Sequence, residues 1–165
     1  MEPIHLSILN EETVDDVAPL VCEFRQELER LRPIGQETNL QAAAAELHAY
    51  LEKQYPVYVI WFEEHPVGYA VARVDDDTGW RESIYVVPAM RRIGLATELF
   101  RTVEELAVVC GGDTIYNYVH PNNHPMIAFL KRHGYDVLNL IEVRKAYKDE
   151  NLADTVQVGE HPFRY

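Results

Sequence analysis

The chain has 165 residues, 47% hydrophobic and 25% charged, with a formal net charge of −12. That length suits one domain able to bury about two-thirds of its unfolded surface, the composition excludes a disordered chain, and the acidic balance argues against nucleic acid, whose phosphates require a basic field. No segment approaches the ~20 apolar residues of a membrane span, and MEPIHLSILNEE has neither the basic nor the apolar region of a signal peptide, so no membrane partner and a cytoplasmic location are expected.

Residues 4–9 read as an opening strand. A helix follows over about 13–30, with Thr13 as N-cap, Val14, Val17, Val21, Phe24, Leu28 and Leu31 on one face, and Pro19 placed to kink it. Arg32, Pro33, Ile34 and Gly35 break the pattern, and a second helix over about 39–53 runs through Leu40, Ala44, Leu47 and Leu51. Three strands come in series at 57–62, 67–74 and 80–87, with turns at 63–66 and 75–79, the spacing of an antiparallel meander. A helix over 96–110 stops at Gly111 and Gly112, a strand spans 114–119, a helix capped by Asn123 has Pro125 in its first turn, and a last strand spans 137–147. The order β-α-α-β-β-β-α-β-α-β predicts a single-domain α/β fold with a mixed, mostly antiparallel sheet between helices, and a right-handed crossover joining parallel strands around the 96–110 helix. Residues 148–165 form a polar tail ending in Pro162-Phe163-Arg164-Tyr165, either frayed or docked on a second subunit.

Cys22 and Cys110 both fall on apolar helical faces and read as small buried hydrophobes. The seven histidines show no metal-ligand frame with a carboxylate or thiol, so no metal is expected.

The chemically informative stretch is Glu82 to Thr97, where a strand runs through an Arg/Gly turn into a helix. By alternation Trp80, Glu82, Ile84 and Val86 share one strand face, and Arg81, Ser83, Tyr85 and Val87 the other. Such a turn leaves the first N–H groups of the helix unpaired at the positive end of its dipole, a natural anion site. Gly94 and Ala96 let a ligand approach closely, and Arg91 and Arg92 add two cations. The turn is neither a Walker loop nor a G-x-G-x-x-G dinucleotide turn, so another phosphate ligand is implied.

Arg91-Arg92-Ile93-Gly94-Leu95-Ala96 resembles the [QR]-x-x-G-x-[GA] acetyl-coenzyme A signature of the GNAT superfamily of N-acetyltransferases. Residues 123–135 resemble the family's later N-x-x-A-x-x-F-Y-x-x-x-G-[FY] segment, keeping Asn123, Phe129, Gly134 and Tyr135 in register. The resemblance covers roughly residues 3–147 and implies acetyl-coenzyme A as cosubstrate, held by Ile84, Tyr85 and Val86 along the pantetheine arm, by the turn from Arg91 through Arg92, Ile93, Gly94, Leu95 and Ala96 to Thr97 at the pyrophosphate, and by Asn123 and Phe129 from the second segment. Residues 1–147 would then form the acetyltransferase domain, with dimerisation a further implication.

An amine with a pKa near ~10 is almost wholly protonated at neutral pH, so its acylation gains from a general base. Glu82, on the strand leading into the turn, is the candidate, acting directly or through water. The E-x-x-Y/F-V spacing here is similar to that of polyamine-type GNAT enzymes, where the matching glutamate is the base. A backbone N–H near Tyr85 or Val86 would meet the oxyanion. Many family members protonate the departing thiolate with a tyrosine one residue after the motif phenylalanine; here that residue is Leu130, leaving water, Tyr118 or Tyr135. Glu23, Glu27, Glu29, Asp75, Asp76 and Asp77 fall in or near the expected acceptor region and favour an amine with further positive charge. Three readings stand at this point: transfer of acetyl to an amine of a small molecule or peptide, a catalytically silent acyl-coenzyme A-binding module with a sensory or scaffolding role, and a nucleotide-binding domain using the Arg/Gly turn.

Overall fold

The first helix is capped by Asn10, not by Thr13. Asn10 Oδ1 accepts from the N–H groups of Glu12 at 3.0 Å and Thr13 at 3.2 Å, while the Thr13 hydroxyl accepts from Asn10 N–H at 3.3 Å. This reciprocal capping box opens a single 3-10 turn (Glu11–Thr13) that leads into α1 (Val14–Leu31), and Pro19 sits on the helix's exposed side. Asn and Thr are both good caps, and three residues apart they cooperate, so the chain places its boundary at the earlier one. The second helix, α2 (Leu40–Glu52), starts at Asn39, whose Oδ1 accepts from Ala42 N–H at 2.9 Å. The computed structural model describes residues 4–31, 38–76 and 78–165; the predicted break at Arg32, Pro33, Ile34 and Gly35, and Asp77 of the acidic turn, lie outside the described residues.

The described residues group into two compact units, Met1–Tyr118 and Val119–Tyr165. The first carries a five-stranded sheet in the order β1 (His5–Ile8), β2 (Val57–Phe62), β3 (His65–Asp75), β4 (Thr78–Val86), β5 (Ile115–Asn117). Strands β1 to β4 pair antiparallel, β2 to β4 as the meander spacing predicts, and β5 pairs parallel to β4 after α3 (Leu95–Val109). On one face α1 and α2 bury Val17, Val21 and Leu47 against Val57, Val59, Tyr69, Val71 and Tyr85. On the other, α3 brings Leu99, Phe100, Val103 and Ala107 onto the sheet. Backbones approach closely there: a Cβ on Gly79 would lie 2.6 Å from Ala107 Cβ, so only glycine lets β4 sit this near α3.

The second unit contains α4 (His124–Arg132) and a hairpin of β6 (Thr155–Val158) and β7 (His161–Arg164). The tail predicted as frayed or docked is thus paired with itself, and Tyr165 OH lies 3.1 Å from His120 Nδ1. The strand predicted over 137–147 does not form; Val137, Leu138, Leu140, Ile141, Val143 and Tyr147 are all exposed. A run rich in Val, Ile and Leu suits a pleated sheet by propensity, but the ladder's hydrogen bonds come from a neighbour, and among the described residues this segment has none. Cys22 is buried as expected, whereas Cys110, at the C-cap of α3, is exposed.

Candidate active site

Strands β4 and β5 pair only at Gly79–Ile115, Trp80–Tyr116 and Arg81–Asn117. Beyond that point β4 continues to Val86 while β5 ends at Asn117, so the β5-side edge of β4 from Glu82 to Val86 has no strand partner among the described residues. A fork between parallel strands offers main-chain donors and acceptors to an extended ligand. At its open end the chain passes through a 3-10 turn (Pro88–Met90) and reaches Gly94, the N-cap of α3. Gly94 has φ +97°, a left-handed conformation natural to glycine, with no atom within 4 Å of where a Cβ would stand. The first bond of the helix runs from Glu98 N–H to Gly94 O at 3.0 Å, so the N–H groups of Leu95 and Ala96 precede it. Arg92 is also left-handed, at φ 65°, and Ile93 beside it is exposed. A clear approach, leading N–H groups and an unpaired strand edge fit a long ligand carrying an anion at one end.

The alternation read for β4 is interrupted. Ser83 pairs with Val71 and Arg81 with the adjacent Ala72, so Glu82 is the extra residue of a β-bulge. Ser83 and Tyr85 therefore face α1 and α2, whereas Arg81 and Gly79 face α3, and Ile84 and Val86 also face α3 through their partners Ala70 and Gly68. Glu82 does not share a face with Ile84 and Val86 as periodicity predicts. It lies instead with Arg73 and Trp80: Arg73 Nε is 2.9 Å from Glu82 Oε1, as an ion pair whose N–H is not directed at the oxygen, and the Arg73 guanidinium stands 5.0 Å from the Trp80 ring centre. Tyr118, the predicted proton donor, is 63% exposed and stacks on Trp80 at 5.2 Å. Base and donor candidates thus meet around one indole at the closed end of the fork.

Arg91 is committed elsewhere than to a free anion site. Its Nε donates to Val86 O at 2.7 Å, its Nη2 to Glu27 Oε1 at 2.7 Å, and its guanidinium lies over the Tyr85 ring at 5.3 Å. Tyr85 OH donates to Glu23 at 2.9 Å, so this side chain is turned onto α1 and only its main chain borders the fork. Two carboxylates one helical turn apart therefore bind α1 to the end of β4 through Glu23 and to the signature turn through Glu27, contacts that span more than 60 residues and left no local signal. Asn123, Phe129 and Leu130 belong to the second unit. Asn123 Oδ1 caps α4 by accepting from Met126 N–H at 3.3 Å, Phe129 packs on His133 with ring centres 4.3 Å apart, and Leu130 is buried.

Behind the site Arg25 of α1 donates through Nε to Glu46 of α2 at 2.9 Å, and Tyr50 OH donates to the same carboxylate at 2.7 Å. Burial first, then Glu46, pushes the Tyr50 phenol up, and burial raises Tyr69 well above its ordinary value. A phenol with a raised folded pKa holds its proton more tightly when folded, so its stabilisation is complete below about pH 10 and is lost as pH rises beyond it. The thermal midpoint is accordingly expected to fall above about pH 10. In Tyr50→Phe that decline should be shallower across a pH series of melts, and an unchanged slope would remove Tyr50 from this account.

The family model described as the acetyltransferase (GNAT) family matches residues 22–135, more than half of the chain. The chain belongs to the GNAT family. It is an acetyltransferase whose cosubstrate is acetyl-coenzyme A. Its fold is similar to that of the aminoglycoside acetyltransferase AAC(6')-Iy in complex with a coenzyme A bisubstrate analogue (TM-score 0.67, 17% identity, covering 88% of this chain and 99% of that one). It is also similar to a ribosomal-protein-alanine N-acetyltransferase from Brucella melitensis biovar Abortus 2308 (0.70, 14%, 88% and 100%) and to the PaiA N-acetyltransferase from Thermoplasma acidophilum in complex with coenzyme A (0.66, 14%, 79% and 88%). A search of curated proteins by sequence found no match. Among the described residues no helix is long and apolar enough to cross a membrane, and no group of three His, Cys, Asp or Glu is placed to hold a metal.

Proposed function

We propose that the chain transfers the acetyl group directly to a primary amine of a small molecule or peptide, with Glu82 as general base. The observation that carries this is the placement of a carboxylate on a bulge at the closed end of a strand fork whose open end is the Gly94 turn. Acetyl-coenzyme A supplies the acetyl group as a thioester. In this reading the main chain of Ile84, Tyr85 and Val86 aligns the pantetheine arm, and residues 92–97 hold the pyrophosphate against the start of α3. Arg91 contributes by bracing the turn through Val86 O and Glu27, and Asn123 and Phe129 keep the cofactor role implied by the second motif. Glu82 takes the proton that the acceptor ammonium must lose, directly or through water, and a main-chain N–H on the free edge of β4 receives charge developing on the acetyl oxygen. The departing sulfur takes its proton from water or from Tyr118, since Leu130 has none to give.

The formal net charge of −12 favours an acceptor with further positive charge, and the neighbours include an enzyme named for aminoglycosides. A homodimer is part of the proposal, supported by the exposed apolar run over 137–147. A cytoplasmic location agrees with two free cysteines. The test is a panel of mono-, di- and polyamines and peptide N-termini assayed for thiol release from acetyl-coenzyme A. Turnover with at least one polycationic amine is expected. A chain that binds coenzyme A yet turns over no amine would instead support the silent binding module.

A further inference from the structure

Arg81 is a cation that the proposed chemistry leaves unused. It is only 5% exposed, and it is the last residue of β4 to pair with β5, opposite Asn117. Its Nε donates to Asn117 Oδ1 at 2.6 Å and its Nη2 reaches Tyr118 O at 3.5 Å, while Asn117 Nδ2 donates to Ile115 O at 3.3 Å. Burial lowers its pKa to about 10, which still leaves it charged at neutral pH. Taking a guanidinium out of water is costly, and an apolar residue of similar volume often serves a core as well or better.

Its partners show what this charge does. Tyr118 is the residue that would carry the next rung of the parallel ladder, and its carbonyl is turned to the Arg81 side chain instead of to β4. At the same level on β4 the bulge at Glu82 interrupts the regular spacing of main-chain groups. The next rung is therefore missing from both strands. We infer that Arg81 is a wedge, a positioning residue whose guanidinium, clamped on Asn117 and Tyr118, ends the β4–β5 ladder and so sets the depth of the fork that receives the pantetheine arm.

This rests on the cofactor reading above. Five residues of free edge, Glu82 to Val86, correspond to about 16 Å of strand, and a ladder extended by one residue shortens the fork by about 3 Å. With the pyrophosphate end held at Gly94, such a change displaces the thioester from Glu82. Depth, not charge on the ligand, is what Arg81 controls.

The experiment measures coenzyme A affinity by calorimetry, together with the ligand-free thermal midpoint, for wild type, Arg81→Met, Arg81→Lys and Asn117→Ala. Arg81→Met and Asn117→Ala should each bind about tenfold more weakly or worse, the size of one lost positioned hydrogen bond. Arg81→Lys should fall between, because an ammonium lacks the planar fork that serves two acceptors at once. A merely structural role predicts a lowered midpoint with unchanged affinity, measured well below that midpoint, and this result overturns the wedge. Should Arg81→Met not fold, Asn117→Ala decides; it removes the acceptor of the shorter bond together with the Asn117 Nδ2 donation to Ile115 O, and the ligand-free midpoint reads the general loss of stability apart from the loss of affinity. Coenzyme A failing to bind wild type overturns the cofactor reading and the wedge with it, an outcome distinct from binding that the substitutions leave intact.

Discussion

Glu82→Gln is expected to lower kcat by roughly 10²–10⁴-fold while coenzyme A affinity stays within about twofold of wild type. The substitution keeps the size and planar shape of the side chain and removes only its capacity to accept a full proton. Arg73 retains Asp75 as a partner, with Nη1 3.3 Å from Oδ2, so loss of its contact with Glu82 does not strand a cation. The bulge itself is a main-chain feature and should persist. If the variant retains kcat within about threefold, Glu82 is a partner of Arg73 and nothing more. If wild type binds coenzyme A but turns over no amine at any pH, the silent module is the better account.

Gly94→Val should weaken coenzyme A binding by at least about tenfold, with a loss of fold stability limited to about 1–2 kcal/mol. Gly94 has φ +97°, which a β-branched residue adopts only with strain, yet no atom lies within 4 Å of the added Cβ. The Cβ therefore meets no internal collision, and the harm falls on whatever must approach that open space. Relief of the strain also swings the N–H groups of Leu95 and Ala96 away from a common focus. Calorimetry and thermal melts on Gly94→Ala and Gly94→Val should show a graded loss of affinity and only a small fall in midpoint. Unchanged affinity in both would mean that no anion is held at this turn.

The parts of the molecule that were legible share one property: their signal lies within a few residues. Asn123 caps its helix because an amide oxygen reaches the third N–H beyond it wherever the chain goes next. The meander β2-β3-β4 follows from strand length and turn length, and the parallel β4–β5 pair from the helix between them. Gly94 announced its own turn by needing no side chain.

Other features were settled by partners far along the chain. The bulge at Glu82 exists because β3 passes from Val71 to Ala72 while β4 passes from Ser83 to Arg81, a mismatch between two strands that neither one records alone. It moved Glu82 off the face shared by Ile84 and Val86 and set it beside Arg73 and Trp80. Arg91 reads as a phosphate cation in its own segment, but Glu27, 64 residues earlier, claims it. The Val-, Ile- and Leu-rich run over 137–147 has the propensity for a strand and is silent about whether an edge is within reach. By itself the sequence determined the strand–turn–helix unit, which local dihedral preference and periodicity specify, and its resemblance over residues 91–96 and 123–135 pointed to the family and the cosubstrate. Only the tertiary structure decided which way Glu82 points, what occupies Arg91 and where the fork closes, because those outcomes are set by strand register and ion pairing between segments that are neighbours only after folding.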